Sequence, residues 1–128
     1  MEAKNFRIGN LLESKQWGGF GTIEGIEQTK IGFEIKSKGY IHKNESGKYF
    51  DLQPIELTDE WLSKFSFVEE TKNEFTLRQH PIIFKIHRNL ITGEFMCRLD
   101  VNYSFLVKTV HELQNLFFAI SKQELELK

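Results

Sequence analysis

The feature that most constrains the fold is a long run of alternating side chains, from Phe95 to Val107, that passes directly into a helix pattern. Every odd position in this run is apolar or aromatic, whereas the even positions are mostly polar, with Met96 and Leu106 as exceptions. Because side chains alternate between the two faces of a strand, the run predicts one long strand with one buried face. From Thr109 the apolar spacing changes to three and four residues, which predicts a helix.

The predicted helix begins with Thr109 and Glu112, which match a capping box. The apolar residues that follow share one helical face, and they are Val110, Leu113, Phe117 and Ile120. We expect this face to pack against the sheet and His111 to lie on the solvent side. The polar Gln114 and Asn115 are expected to bond neighbouring loop backbone.

The segment 82–88 is the predicted hairpin partner of the long strand. A slip of one residue would turn charged side chains toward the core, so the buried faces specify the register. The favoured register pairs Arg88 with Phe95, which places Ile86 opposite Cys97 on the same face. Residues 89–94 are then the connection between the two strands.

Residues 1–57 predict five short strands, because alternating apolar residues are interrupted by turn residues about every 8–12 positions. Such strands favour a small antiparallel β-barrel or a curved sheet, of which an SH3-like barrel is one form. Thr58 then predicts the N-cap of a short helix. The charged stretch 69–74 predicts a loop.

These patterns predict an α+β fold in which the β-rich segment is followed by a short helix, a β-hairpin and a C-terminal amphipathic helix. A chain of 128 residues is long enough for one domain with its own core. We therefore predict a single domain, 1–128, with a β-rich half, 1–57, and a helix–hairpin–helix half, 58–128. Twelve phenylalanines predict an aromatic core.

Composition excludes several classes of function. The chain has 17 basic and 18 acidic residues, a balance that weakens a nucleic-acid role. Its single cysteine, Cys97, rules out an internal disulfide and a cysteine-rich zinc site, and its position predicts a buried thiol. The four histidines lack the spacing of metal ligands, so we predict no metal and no cofactor.

The location of the protein is also predicted from the sequence. No apolar run reaches the roughly 18 residues that a membrane helix needs. The N-terminal residues lack the apolar core of a signal peptide. We therefore expect a cytosolic protein without membrane contact.

The polar face of the predicted hairpin is the leading candidate site. In the favoured register it contains Lys85, His87, Arg98, Asp100 and Asn102. Such a group of residues suits an anion, a nucleotide or an acidic partner surface. A solvated sheet face with weak ion pairs is the alternative interpretation. Arg78 and His80 are the residues that would extend the face.

Two further hypotheses assign other functions. A nucleic-acid-binding module would use lysines interleaved with an aromatic residue, for phosphate contact and base stacking, and they are Lys30, Lys36, Lys38, Tyr40 and Lys43. A nucleotide hydrolase would use His87 as the base, with Lys85 and Arg98 holding the anion. The chain lacks a recognisable catalytic motif, so we predict that it is not an enzyme.

Three sequence motifs occur together, and they are RIGNL at 7–11, PIELTDEWLSKF at 54–65 and VHELQNLFFA at 110–119. This combination resembles a group of small uncharacterised proteins encoded by phages and prophages. Ser66 and Ile120 stand where that group often has glycine and leucine. The resemblance covers nearly the whole chain. It implies a phage origin and the host cytosol, but no activity.

The residues and the resemblance lead to one functional expectation. We expect a non-enzymatic phage accessory protein that binds a host protein or a small regulatory molecule. A role in host takeover or against host defence is suggested only by analogy with other small phage genes.

Overall fold

The computed structural model describes residues 7–14, 19–28, 32–37, 40–45, 53–79, 82–100 and 103–127. The chain forms two compact units, Met1–Ile55 and Glu56–Lys128. The described residues of the first unit form only strands, whereas the second unit combines strands with two helices. The predicted α+β class is confirmed, and the single domain 1–128 stays a prediction.

The first unit contains two antiparallel sheets of three strands each. One has the order β2-β1-β6 and the other the order β3-β4-β5. Their strands are β1 (Leu11–Ser14), β2 (Gly19–Thr22), β3 (Gly25–Gln28), β4 (Gly32–Ser37), β5 (Tyr40–Glu45) and β6 (Gln53–Pro54).

The predicted N-terminal barrel is wrong, because the described strands form two open sheets. Strands β2 and β3 belong to different sheets, although only Ile23 and Glu24 separate them. Strand β6 is two residues long and ends at Pro54, which has no backbone N–H to extend the ladder. Alternation in the sequence predicted strands here, but it carries no information on which strands pair.

A buried asparagine organises the start of the first unit. The Oδ1 atom of Asn10 accepts a hydrogen bond from the backbone N–H of Arg7 at 2.7 Å. The backbone N–H of Gly9 donates to the carbonyl of Ile23 at 2.9 Å, and the N–H of Ile23 donates to the carbonyl of Asn10 at 2.8 Å. Gly9 has a φ of 97°, which favours glycine. This part of the RIGNL motif therefore has a structural role.

The second unit contains one five-stranded antiparallel sheet of order β11-β10-β9-β8-β7. One helix precedes the sheet and the other follows it. The elements in chain order are α1 (Asp59–Lys64), β7 (Val68–Thr71), β8 (Glu74–Gln79), β9 (Ile82–Arg88), β10 (Phe95–Asp100), β11 (Tyr103–Val107) and α2 (Val110–Ser121).

The charged stretch 69–74 forms a hairpin, so the predicted loop is wrong. Strands β7 and β8 pair with Thr71 opposite Glu74, and a bulge lies between Glu69 and Thr71. Asn73 takes a φ of 66° in the turn. Asparagine tolerates this left-handed conformation, which lets a charged segment reverse direction in two residues. All four residues of β7 are exposed, which agrees with the mostly polar composition of this strand.

The predicted long strand from Phe95 to Val107 is also wrong, because the chain reverses after Asp100. Strands β10 and β11 pair with Phe95 opposite Val107 and Asp100 opposite Tyr103. From Phe95 to Arg98, each pair joins two odd or two even positions that share a face, so the alternation in the sequence conceals the reversal. The register shifts by one residue between Arg98 and Asp100. A strand of thirteen residues would also exceed the usual upper length of about ten.

The predicted register between β9 and β10 is confirmed at the pairs nearest their connection. Arg88 lies opposite Phe95, and Ile86 lies opposite Cys97. In the loop, the Oδ1 atom of Asn89 accepts hydrogen bonds from the backbone N–H groups of residues 91 and 92 at 2.8 and 3.1 Å. Gly93 has a φ of 75°. These local features close the hairpin.

Both predicted helix starts are confirmed. The Oγ1 atoms of Thr58 and Thr109 accept hydrogen bonds from the third residue of each helix at 3.3 Å. After α1, Ser66 has a φ of 74°, a left-handed conformation that favours the glycine found in the resembling group. The predicted apolar face of α2 is buried apart from Ile120, whose side chain is 42% exposed.

Candidate functional site

The sheet of the second unit has two faces of different character. Its inner face is buried and apolar, with Phe75, Leu77, Phe84, Ile86, Phe95 and Cys97. We call the opposite side the outer face. Its described side chains are Val68, Thr71, Glu74, Thr76, Arg78, Ile83, Lys85, His87, Met96, Arg98, Ser104 and Leu106.

The structure places Lys85, His87 and Arg98 together on the outer face, as the favoured register predicts. His87 lies opposite Met96, and Lys85 lies opposite Thr76. Lys85 and Arg98 are exposed. Neither forms an ion pair within the part of the chain that the structure describes. These two cations are therefore accessible to a ligand.

Other charges on the outer face are already engaged within the protein. Arg78 forms an ion pair with Glu70 at 2.8 Å. The Nδ1 atom of His87 lies 3.3 Å from a carboxylate oxygen of Glu74. A hydrogen bond from Thr71 lowers the pKa of Glu74, burial opposes this, and the charges of His87 and Lys85 lower it further. The carboxylate of Glu74 therefore remains ionised beside the cations.

The remaining predicted site residues lie at the end of the β10–β11 hairpin or beyond the described ranges. Asp100 is the last residue of β10 and lies opposite Tyr103. Asn102 lies outside the described residues, as does His80. The structure therefore assembles three of the five predicted residues on one face and positions the backbone of a fourth.

Sequence reasoning missed the apolar part of the outer face. Val68 is 57% exposed, Ile83 is 63% exposed and Leu106 is 43% exposed. Met96 and Leu106 are apolar at even positions, where the alternating run is otherwise mostly polar. This is the sequence signal that could have identified them as part of an apolar surface. Apolar side chains between exposed cations give the outer face the mixed composition of a protein interface.

Two observations concern the cysteine and the residue types that bind metals. Cys97 is confirmed as buried, and burial raises the pKa of its thiol to about 11. Across the described ranges, no group of three or more His, Cys, Asp or Glu residues is arranged to hold a metal ion.

The residues of the nucleic-acid hypothesis lie in the β3-β4-β5 sheet or beyond the described ranges. Lys36 lies opposite Ile41, Lys43 lies opposite Glu34, and Tyr40 lies opposite Ser37. Lys30 and Lys38 lie outside the described residues. The binding strip made of these residues stays a prediction.

His111 is buried, so the prediction that it faces solvent is wrong. Its side chain is 6% exposed, and its Nδ1 atom lies 3.2 Å from the Oγ1 atom of Thr109. Gln114 on the same helix is also buried. In the first turn of α2, Val110 and His111 are buried, whereas Glu112 is exposed.

We predict that this burial makes stability depend on pH. Burial lowers the pKa of His111 from its usual 6.5, and the charge of Glu112 acts in the opposite direction. The unfolded chain binds the proton more strongly, so stability is full above pH 6.5 and falls as pH drops below it. Urea unfolding at about pH 7.5 and about pH 5.5 measures this slope. His111→Gln should reduce it, and an equal slope in both proteins would contradict the assignment.

No helix in the described part of the chain is long and apolar enough to cross a membrane. Comparison with known proteins finds no matching family model, no matching curated protein and no matching solved structure.

Proposed function

We propose that this chain is a non-enzymatic binding protein whose outer face docks an acidic surface of a partner protein. The observation that carries the proposal is the position of Lys85 and Arg98, two exposed cations on one face of adjacent strands. Exposed apolar side chains, including Ile83 and Leu106, share that face.

The two kinds of side chain have complementary roles in binding. Exposed cations attract an acidic partner over several ångströms and disfavour a basic one. Burial of apolar side chains then contributes most of the affinity. Arg78 contributes less free charge because it forms an ion pair with Glu70, and the ring of His87 already lies against the carboxylate of Glu74. Lys85 and Arg98 are therefore the residues that should decide which partner binds.

The resemblance to phage and prophage proteins supports a setting in the cytosol of a bacterial host. In that setting the proposed partner is a host protein, and host takeover or suppression of host defence is the proposed purpose. The proposal includes no catalytic step, and it needs no cofactor.

The proposal is tested with the double charge reversal Lys85→Glu/Arg98→Glu. Tagged full-length protein is used to capture partners from lysate of a bacterial host, with and without nuclease. We expect a protein that binds the wild type and is reduced more than about tenfold with the variant, because like charges then face each other. The matched control is Lys108→Glu/Lys122→Glu, which makes the same charge change at two exposed lysines that are not part of the outer face and should retain binding.

Other results would contradict the proposal. Equal capture by both double variants would show that the outer face is not the binding surface. Capture that disappears with nuclease would favour the nucleic-acid hypothesis. A small molecule that mass spectrometry finds released from the denatured protein, without a captured protein, would replace the protein partner with a small ligand.

A further inference from the structure

The outer face contains a row of hydrogen-bond donors that crosses the neighbouring strands β9, β10 and β11. Arg98 of β10 lies directly opposite Ser104 of β11. On the other side of β10, Ile86 pairs with Cys97, and the same register continued by one position places Lys85 beside Arg98. Side chains that oppose each other on neighbouring strands begin about 5 Å apart, so the three polar ends can reach one small ligand.

The three side chains of this row are available for binding. All three are exposed, and none has a hydrogen bond or an ion pair within the part of the chain that the structure describes. The other described donors of the outer face are engaged or covered. Arg78, His87 and Thr71 contact carboxylates, and Thr76 is buried.

The donor set matches a phosphate monoester better than a carboxylate. Lys85 and Arg98 provide two positive charges, and Ser104 adds a hydroxyl donor. A phosphate monoester has a charge of about −1.5 to −2 at pH 7 and three acceptor oxygens. A carboxylate has a single negative charge and two oxygens, so it would compensate only one of the two cations.

The position of Glu74 indicates where on the row an anion can bind. Glu74 lies on β8, its carboxylate contacts His87, and the charge of Lys85 acts on it. An anion above β8 would be repelled by this carboxylate. Strand β9 separates β8 from β10, so an anion above Arg98 is further from Glu74.

We propose that the outer face binds the phosphoryl group of a phosphorylated serine, threonine or tyrosine side chain on the partner protein. Arg98 lies at the centre of the site, with Lys85 and Ser104 on either side. The exposed Ile83 and Leu106 lie two residues away on the same face, where they can contact the peptide around the phosphorylated residue. Free phosphate has no apolar surface for such contacts, which favours a protein as its source.

This inference rests on the proposed function, because it names the group that the outer face recognises on an acidic partner. NMR titration of the ¹⁵N-labelled full chain tests it with a short glycine peptide that contains one phosphoserine. We expect shift changes centred on Lys85, Arg98 and Ser104, with a dissociation constant of about 1 mM. The same peptide with glutamate should bind at least about fivefold more weakly, because its charge is smaller.

Variants test each part of the site in the same titration. Lys85→Gln/Arg98→Gln should abolish the shift changes, and Ser104→Ala should weaken binding at least about threefold. The matched control for Ser104→Ala is Ser63→Ala, which removes an exposed hydroxyl of α1 and should bind as the wild type does. Absence of shift changes, equal binding of the glutamate peptide, or equal weakening by the two serine variants would overturn the proposal. Tighter binding of AMP than of the phosphopeptide would assign the phosphate to a nucleotide and overturn the protein source.

Phosphatase treatment of the host lysate separates this inference from the proposed function. We expect the treatment to reduce capture of the partner by the wild type about as much as Lys85→Glu/Arg98→Glu does. Capture that withstands phosphatase but is still lost in that double variant would overturn the phosphoryl group and leave the proposed function standing. Capture that withstands both changes would overturn both.

Discussion

Replacement of Phe117 with alanine should lower the free energy of unfolding by about 3–5 kcal/mol, the largest effect that we expect from a single substitution. Phe117 is fully buried in α2. Its ring packs edge-on against Phe84 of β9, with ring centroids 5.4 Å apart. Truncation would remove this contact and leave a cavity between the helix and the sheet.

The matched control for Phe117→Ala is Ile120→Ala, one turn further along the same helix. Ile120 is 42% exposed, so its truncation should cost less than about 1 kcal/mol. Urea unfolding followed by circular dichroism gives both values from the shift in midpoint. Similar costs for the two variants would show that the inner face of α2 has been assigned incorrectly.

Replacement of Arg88 with alanine should cost about 2–3 kcal/mol, the second largest effect. The guanidinium of Arg88 lies 5.4 Å from the ring centre of Phe75 and 5.3 Å from that of Phe95. It donates a hydrogen bond to Oδ1 of Asn73 at 3.0 Å and forms an ion pair with Asp59. This side chain of β9 thus joins α1, the β7–β8 turn and the two neighbouring strands, β8 and β10.

Two further variants separate this network from an ordinary surface charge. Arg88→Lys keeps the charge but loses the planar guanidinium that stacks on the rings and reaches both Asn73 and Asp59. Its cost in unfolding free energy should therefore lie between zero and that of Arg88→Ala. Arg78→Ala removes an arginine that is 56% exposed and pairs only with Glu70 among described ion-pair partners, and it should cost about 0–1 kcal/mol. Equal costs for Arg88→Ala and Arg78→Ala would contradict the structural role of Arg88.

The features that the sequence predicted correctly depend on neighbouring residues. Thr58 and Thr109 begin their helices because a hydroxyl can accept a backbone hydrogen bond three residues ahead. The β9–β10 register follows from matching apolar faces across a six-residue connection. That same local hairpin placed Lys85 and Arg98 on one face, so this part of the candidate site was predictable.

The features that were missed depend on distant pairing. Alternation from Phe95 to Val107 persists through a reversal of the chain, because opposed residues of a hairpin share a face. The β3-β4-β5 sheet does not continue into β2, and no local signal indicates that break. His111 was expected on the solvent side of α2, but its side chain is buried, and the local pattern does not indicate this. The apolar residues of the outer face were recognised as exceptions and not as a surface.

The most direct test of the central claim is the dissociation constant of the captured protein, measured by calorimetry for the wild type and for Lys85→Glu/Arg98→Glu. We predict binding that is more than about tenfold weaker for the variant, and a wild-type affinity that falls as salt is raised. Lys108→Glu/Lys122→Glu should bind as the wild type does. The same dissociation constant for the wild type and Lys85→Glu/Arg98→Glu would contradict the claim that the outer face is the binding surface.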